Sequence, residues 1–118
     1  MGLNPKEKAE AIVQAVQDRR GLDIVLLDMR PVTTICDYFV ICHGRSPQHL
    51  AAIAEEVQQQ MEKLGIRPGH VEGSREGRWI LIDYLHVVVH IFSEETRQTY
   101  DLQRLWADAK VVIEPSDD

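Results

Sequence analysis

No stretch of this 118-residue chain stays apolar for the ~20 residues that a bilayer-crossing helix needs, which excludes a membrane span of that kind. Basic charge is also in short supply. Lys and Arg number 13 against 19 Asp and Glu, a formal net charge of −6. Affinity for phosphates comes mainly from cations, so direct nucleic-acid contact is not expected to dominate, whereas a basic protein is a suitable partner. Walker and dinucleotide-binding glycine loops are missing, as are internal repeats, low-complexity tracts and any linker long enough to divide domains. A single domain over residues 1–109 with a short acidic tail at 110–118 is expected. The opening MGLNPKEKAE lacks the basic-then-apolar order of a signal peptide. Pro5 and Lys6 stand where a myristoylation site wants small residues. Only two cysteines are present, Cys36 and Cys42. On one strand they would stand about 20 Å apart, beyond the ~7 Å limit for a disulfide. Free thiols and no secretion signal lead to a cytoplasmic expectation.

What is present is well punctuated. Asn4, Pro5 and Glu7 form a capping-box start, and Ala9, Ile12, Val13 and Val16 follow at helical spacing. Arg19 and Arg20 are read into the last turn, with Gly21 as the stop. Leu22–Met29 and Asp37–Cys42 read as strands, the second apolar almost throughout and therefore central and covered on both faces. Ser46 and Pro47 open a second helix carrying Leu50, Ile53, Ala54, Val57, Met61 and Leu64, which stops at Gly65. A short strand is expected at His70–Glu72, then an antiparallel pair at Trp79–Asp83 and His86–Phe92 joined by a tight turn at Tyr84-Leu85. Ser93–Trp106 reads as a helix with Leu102, Leu105 and Trp106 inward, and Val111–Ile113 as a short strand. The sum is an α/β chain: a mixed sheet of about five strands flanked by helices.

Chemistry is harder to find. Gly44-Arg45-Ser46 ends a strand and opens a helix, an arrangement that offers N–H groups to a phosphate. It is similar to the Gly-Ser corner of nucleotidyltransferases, which place two metal-binding acids on the next strand. Here the matching strand offers Asp83-Tyr84-Leu85, one acid where two metals need more. His86 and His90, four apart on a strand, would lie about 13 Å apart, too far to share one ion. Ser46 lies outside any G-x-S-x-G elbow. No catalytic, metal or cofactor residue is therefore assigned, and the chain is read as a binding module rather than an enzyme.

A binding face is the stronger expectation. Alternation sends Trp79, Leu81 and Asp83 to one face of their strand and Ile80, Ile82 and Tyr84 to the other. Both sets are largely apolar, so either the strand is wholly buried or one set is covered by a partner. Trp and Tyr are frequent interface anchors, and the turn Tyr84-Leu85 is expected to be exposed.

Read in order, DYFVICHGRSPQHLAAIAEEV, VEG, GRWILIDYLHVVVHIF and EETRQTYDLQRLW resemble the ribosomal silencing factor (Iojap-like) family over Ala9 to Ala109. The resemblance implies a nucleotidyltransferase-like fold without catalytic acids, no cofactor, and homodimers. It also implies binding to the large ribosomal subunit through ribosomal protein uL14, which sterically blocks joining of the small subunit and represses translation when nutrients are scarce. On that reading Trp79, Leu81, Asp83, Tyr84 and Leu85, with Arg97 and Tyr100 on the following helix, supply the contact. The alternatives are a divergent nucleotidyltransferase-like enzyme and an adaptor for another partner.

Overall fold

The structure, a computed structural model, describes residues 2–73, 76–99 and 109–113. The expected helix beyond Thr99, with Tyr100, Leu102, Leu105 and Trp106, and the end of the acidic tail lie outside them. The order is α1 (Pro5–Asp18), β1 (Leu22–Asp28), β2 (Tyr38–Gly44), α2 (Pro47–Lys63), β3 (His70–Gly73), β4 (Trp79–Asp83), β5 (Val87–Ser93), α3 (Glu94–Thr99) and β6 (Lys110–Ile113). The six strands form one mixed sheet in the order β3-β4-β5-β2-β1-β6, in keeping with the sheet of about five read from the sequence and with the short strand expected at Val111–Ile113. β2 and β5 are parallel, and every other neighbouring pair is antiparallel.

Local chemistry sets the helix starts. The Asn4 side chain accepts from Glu7 N–H while Glu7 accepts from Asn4 N–H, closing the capping box ahead of Pro5. Ser46 Oγ accepts from His49 N–H at 3.1 Å ahead of Pro47. The ends differ from expectation. α1 stops at Asp18, and Arg20, not glycine, takes the positive φ of 57°. Gly21 is needed for space, because a Cβ there would collide with Val16 Cγ1. Arg19 lies past the last turn, where it pairs with Glu56 of α2 at 2.9 Å and ties the helices together. Leu64 is the cap of α2 and half exposed, not part of its buried stripe.

Strand alternation divides the interior in two. Leu26, Tyr38, Val40, Ile82, Val87, Val89 and Ile91 face α1 and α2 and are buried against their Ile12, Val16, Ile53, Val57 and Met61, with Ile24, Ile66 and Ile80 partly buried at the margin. On the opposite face lie Val25, Leu27, Ile41 and Phe92, with Met29 and Cys36 from the β1–β2 connection and Ala109 from the approach to β6. Cys36 precedes β2 rather than sharing it with Cys42, and both thiols are free and buried.

Candidate functional site

The second sheet face is where sealing is incomplete. Trp79 and Leu81 of β4, Val88 of β5 and Phe39 of β2 are only half buried, and Phe92 and His90 are buried among them. Register explains the grouping: Trp79 opposes Phe92, Leu81 opposes His90, Asp83 opposes Val88, and Val88 in turn neighbours Phe39. The rings form a cluster. Trp79 lies 5.3 Å from Phe92 and 6.0 Å from His90, Phe39 meets His90 edge-on at 4.7 Å, and His90 stacks on Phe92 at 5.9 Å. Ile80, which alternation sends to the helix side, is also only partly buried. Ile82 and Tyr84 are in the helix-covered core, while Trp79, Leu81 and Asp83 line a partly open face.

Tyr84 is the main correction. It is 3% exposed and belongs to the core, because its backbone N–H still pairs with Val87 C=O and so continues the β4 alternation inward. Burial pushes its phenol up to about 12. The turn is Leu85-His86. Leu85 has φ 71°, and His86 N–H donates back to Tyr84 C=O at 2.9 Å, a γ-turn of the strained hand. Asp83 Oδ1 braces it by accepting from Leu85 N–H at 2.7 Å. Leu85 stands 69% exposed on top.

Arg97 is also placed differently from the expectation of a surface contact. Its Nη1 donates to Leu22 C=O at 3.1 Å and lies 2.9 Å from His43 Nδ1, so it ties α3 to β1 and β2. Burial, and then the positive charge of Arg97, hold His43 below its ordinary pKa and so keep it a neutral acceptor. Arg97→Ala is therefore expected to cost about 1–2 kcal/mol of stability, measured by urea unfolding, since one charged donor leaves two partly buried acceptors. Tyr100 lies outside the described residues.

Topology keeps Asp83 away from the Gly44-Arg45-Ser46 corner. Gly44 is level with Ser93, and Ser93 N–H meets Arg78 C=O just before β4 begins. Asp83 is at the other end of β4, about 13 Å further along at ~3.4 Å per residue. The corner is occupied by its own side chains. Arg45 N–H donates to His49 Nδ1 at 2.9 Å, and His49 N–H to Ser46 Oγ. The cleft beside it is lined by Arg45 and Arg78 as well as Glu76, Glu94 and Glu95, and Arg78 is paired with Glu76, so it offers no excess of positive charge to a phosphate. Nor do the thiols offer a nucleophile, since burial raises Cys36 to about 11 and Cys42 to about 12. His86 sits in the turn, 3.4 Å from Asp37, and His90 in the aromatic cluster, so the two histidines do not act together. Among the described residues no group of three or more His, Cys, Asp and Glu is arranged to hold a metal ion.

Sequence reasoning missed Phe39, Val88 and His90 as members of this face. The signal was present in the alternation of YFVIC and VVVHIF, but linking the two needed the parallel β2–β5 pairing.

Known proteins resemble the chain throughout. Residues 3–118 match the family described as ribosomal silencing factor during starvation. A ribosomal silencing factor from Bacillus subtilis is 41% identical over 107 residues, covering 91% of each chain. One from Halalkalibacterium halodurans is 38% identical, covering 93% of this chain and 94% of the relative. A mouse protein named for mitochondrial assembly of the ribosomal large subunit is 29% identical over 88% of this chain and 47% of its own length. A crystal structure from Chromobacterium violaceum superposes with a TM-score of 0.86 at 29% identity, covering 97% of this chain and 92% of the other. One from Bacillus halodurans gives 0.80 at 36% identity, with 92% and 98% covered. The chain belongs to the ribosomal silencing factor family.

Proposed function

We propose that this chain binds the large ribosomal subunit through uL14 and, by excluded volume, keeps the small subunit from joining. The observation that carries the reading is the half-buried apolar row Trp79, Leu81, Val88 and Phe39 on the sheet face opposite α1 and α2. An apolar centre with an acidic neighbour, Asp83, suits a basic ribosomal protein. Such a mechanism asks for no covalent step, only an affinity that competes with subunit association, and a micromolar contact supplies about −8 kcal/mol. Trp79, Leu81, Asp83 and Leu85 are the contact residues in this proposal. Tyr84 supports them from beneath, and Arg97 holds α3 in place. A cytoplasmic homodimer that represses translation under nutrient limitation completes the reading.

The test is a sucrose-gradient profile of mixed, purified subunits. Added protein is expected to deplete the joined particle and to co-sediment with the large subunit. Joined particles that form equally well at saturating dose would sink the proposal. Leu85 gives a second check. A left-handed backbone at a non-glycine residue costs about 1–2 kcal/mol. Leu85→Gly is accordingly expected to raise stability by about 1 kcal/mol in urea unfolding while weakening binding to isolated large subunits. Gain of stability with unchanged binding would remove Leu85 from the contact.

A further inference from the structure

β3 closes one side of the sheet, and all four of its residues are exposed. Ladder parity identifies which backbone groups face outward. Ser93 N–H bonds Arg78 C=O and Tyr84 N–H bonds Val87 C=O, so even-numbered β4 positions bond toward β5. Leu81 and Asp83 then turn toward β3, opposite Glu72 and His70. Val71 and Gly73 are left with N–H and C=O groups directed away from the sheet. Such an edge is a template for a further strand. No proline or lysine in HVEG blunts it.

A groove runs along each side of this edge. Toward α2 the floor is Ala51, Ala54 and Ile80, with Glu55 and Glu62 on the rim. On the other side Trp79 and Leu81 form the wall, beside Glu72. Side chains of an added strand alternate between the two grooves. The described residues that line them include three acids, Glu55, Glu62 and Glu72, and no Lys or Arg.

We infer that the β3 edge takes up an extended, lysine- or arginine-rich segment of another protein as a seventh strand. Aliphatic stems lie over Ala51 and Ala54, the cationic ends meet Glu55 and Glu62, and the alternate side chains pack beside Trp79 and Leu81. A second copy of this chain suits the edge poorly. Antiparallel pairing about a two-fold axis keeps both α2 helices on one face and brings one acidic rim toward the other.

The probe is a nine-residue, end-blocked peptide alternating Lys and Val, compared with its Glu-Val counterpart against the full chain. Hydrogen exchange at the Val71 and Gly73 amides is expected to slow at least fivefold with the Lys peptide alone. Glu55→Gln with Glu62→Gln, both surface changes, is expected to weaken peptide binding at least tenfold at unchanged thermal stability. Val71→Pro, which removes an outward donor, is expected to abolish it. Protection elsewhere, equal binding of the two peptides, or indifference to the glutamine pair would overturn the inference. Protection that rises with protein concentration alone would give the edge to a second copy and overturn it too. Large-subunit binding is measured without peptide, so either result can fail while the other stands.

Discussion

Acidifying from pH 6.5 to 4 is expected to cost the fold about 3 kcal/mol through His90 alone. Its side chain is 6% exposed, and among the described residues neither ring nitrogen has a hydrogen-bond partner. Among the described residues its ring and ladder neighbours are Phe39, Trp79, Phe92, Leu81 and Ile41, none of which carries a charge. Burial in that apolar nest lowers its pKa to about 4 from 6.5. The unfolded chain takes up a proton on falling through 6.5, whereas the folded chain does so only near 4. Between those values the unfolded state binds more protons, so stability rises with pH. The contribution is fully lost below about pH 4, and each pH unit of that gap corresponds to about 1.4 kcal/mol. His43, also held low by burial and by Arg97, acts in the same direction.

Other groups titrate lower down. Asp28, held by the Arg30 guanidinium that also lies over the Tyr38 ring, loses its stabilising charge only as pH falls through its depressed folded pKa. The His90 contribution is separated by His90→Leu, which keeps an apolar group of similar size and has no proton to gain. Urea midpoints of the two proteins, measured at half-unit steps, are expected to diverge steadily below pH 6.5. Parallel curves would show that His90 is protonated or hydrated in the folded state.

What the sequence made legible is what neighbouring residues decide. The Asn4-Pro5-Glu7 and Ser46-Pro47 starts, the α2 stripe from Leu50 to Met61, and the β4–β5 pair all follow from spacing within a few residues. Long-range placement did not follow. YFVIC and VVVHIF are apolar on both faces, so their pattern gives neither the parallel pairing of β2 with β5 nor the union of Phe39, Val88 and His90 with Trp79. For the same reason the pattern alone sets Asp83 against the Gly44 corner, whereas β4 runs opposite to β2 and β5 and carries the acid to the far end. Tyr84 reads as a turn residue when the loop is begun one position early. The extra ladder bond to Val87 turns that ring inward and gives Leu85 the tip. Arg97 reads as a surface contact on the helix expected over Ser93–Trp106, and only the approach of α3 to Leu22 and His43 shows its binding role inside the chain.

Trp79→Ala is expected to weaken binding to isolated large subunits by about 2 kcal/mol or more, roughly 30-fold, because a half-buried Trp in an apolar row has the character of an interface anchor. Part of the ring already packs on Phe92 and His90, so truncation also reduces stability. The two effects are separable. Binding is measured well below the unfolding midpoint, where a loss of stability leaves the folded fraction near one, and Phe92→Leu serves as a destabilised control whose outer surface is unchanged. Phe92 is fully buried, so this control is expected to lower the urea midpoint yet bind nearly as wild type. Should Trp79→Ala bind like wild type, or Phe92→Leu lose affinity in equal measure, the contact does not lie on this face. A peptide-binding edge at β3 would survive the first of these outcomes, since its backbone donors at Val71 and Gly73 are independent of the indole.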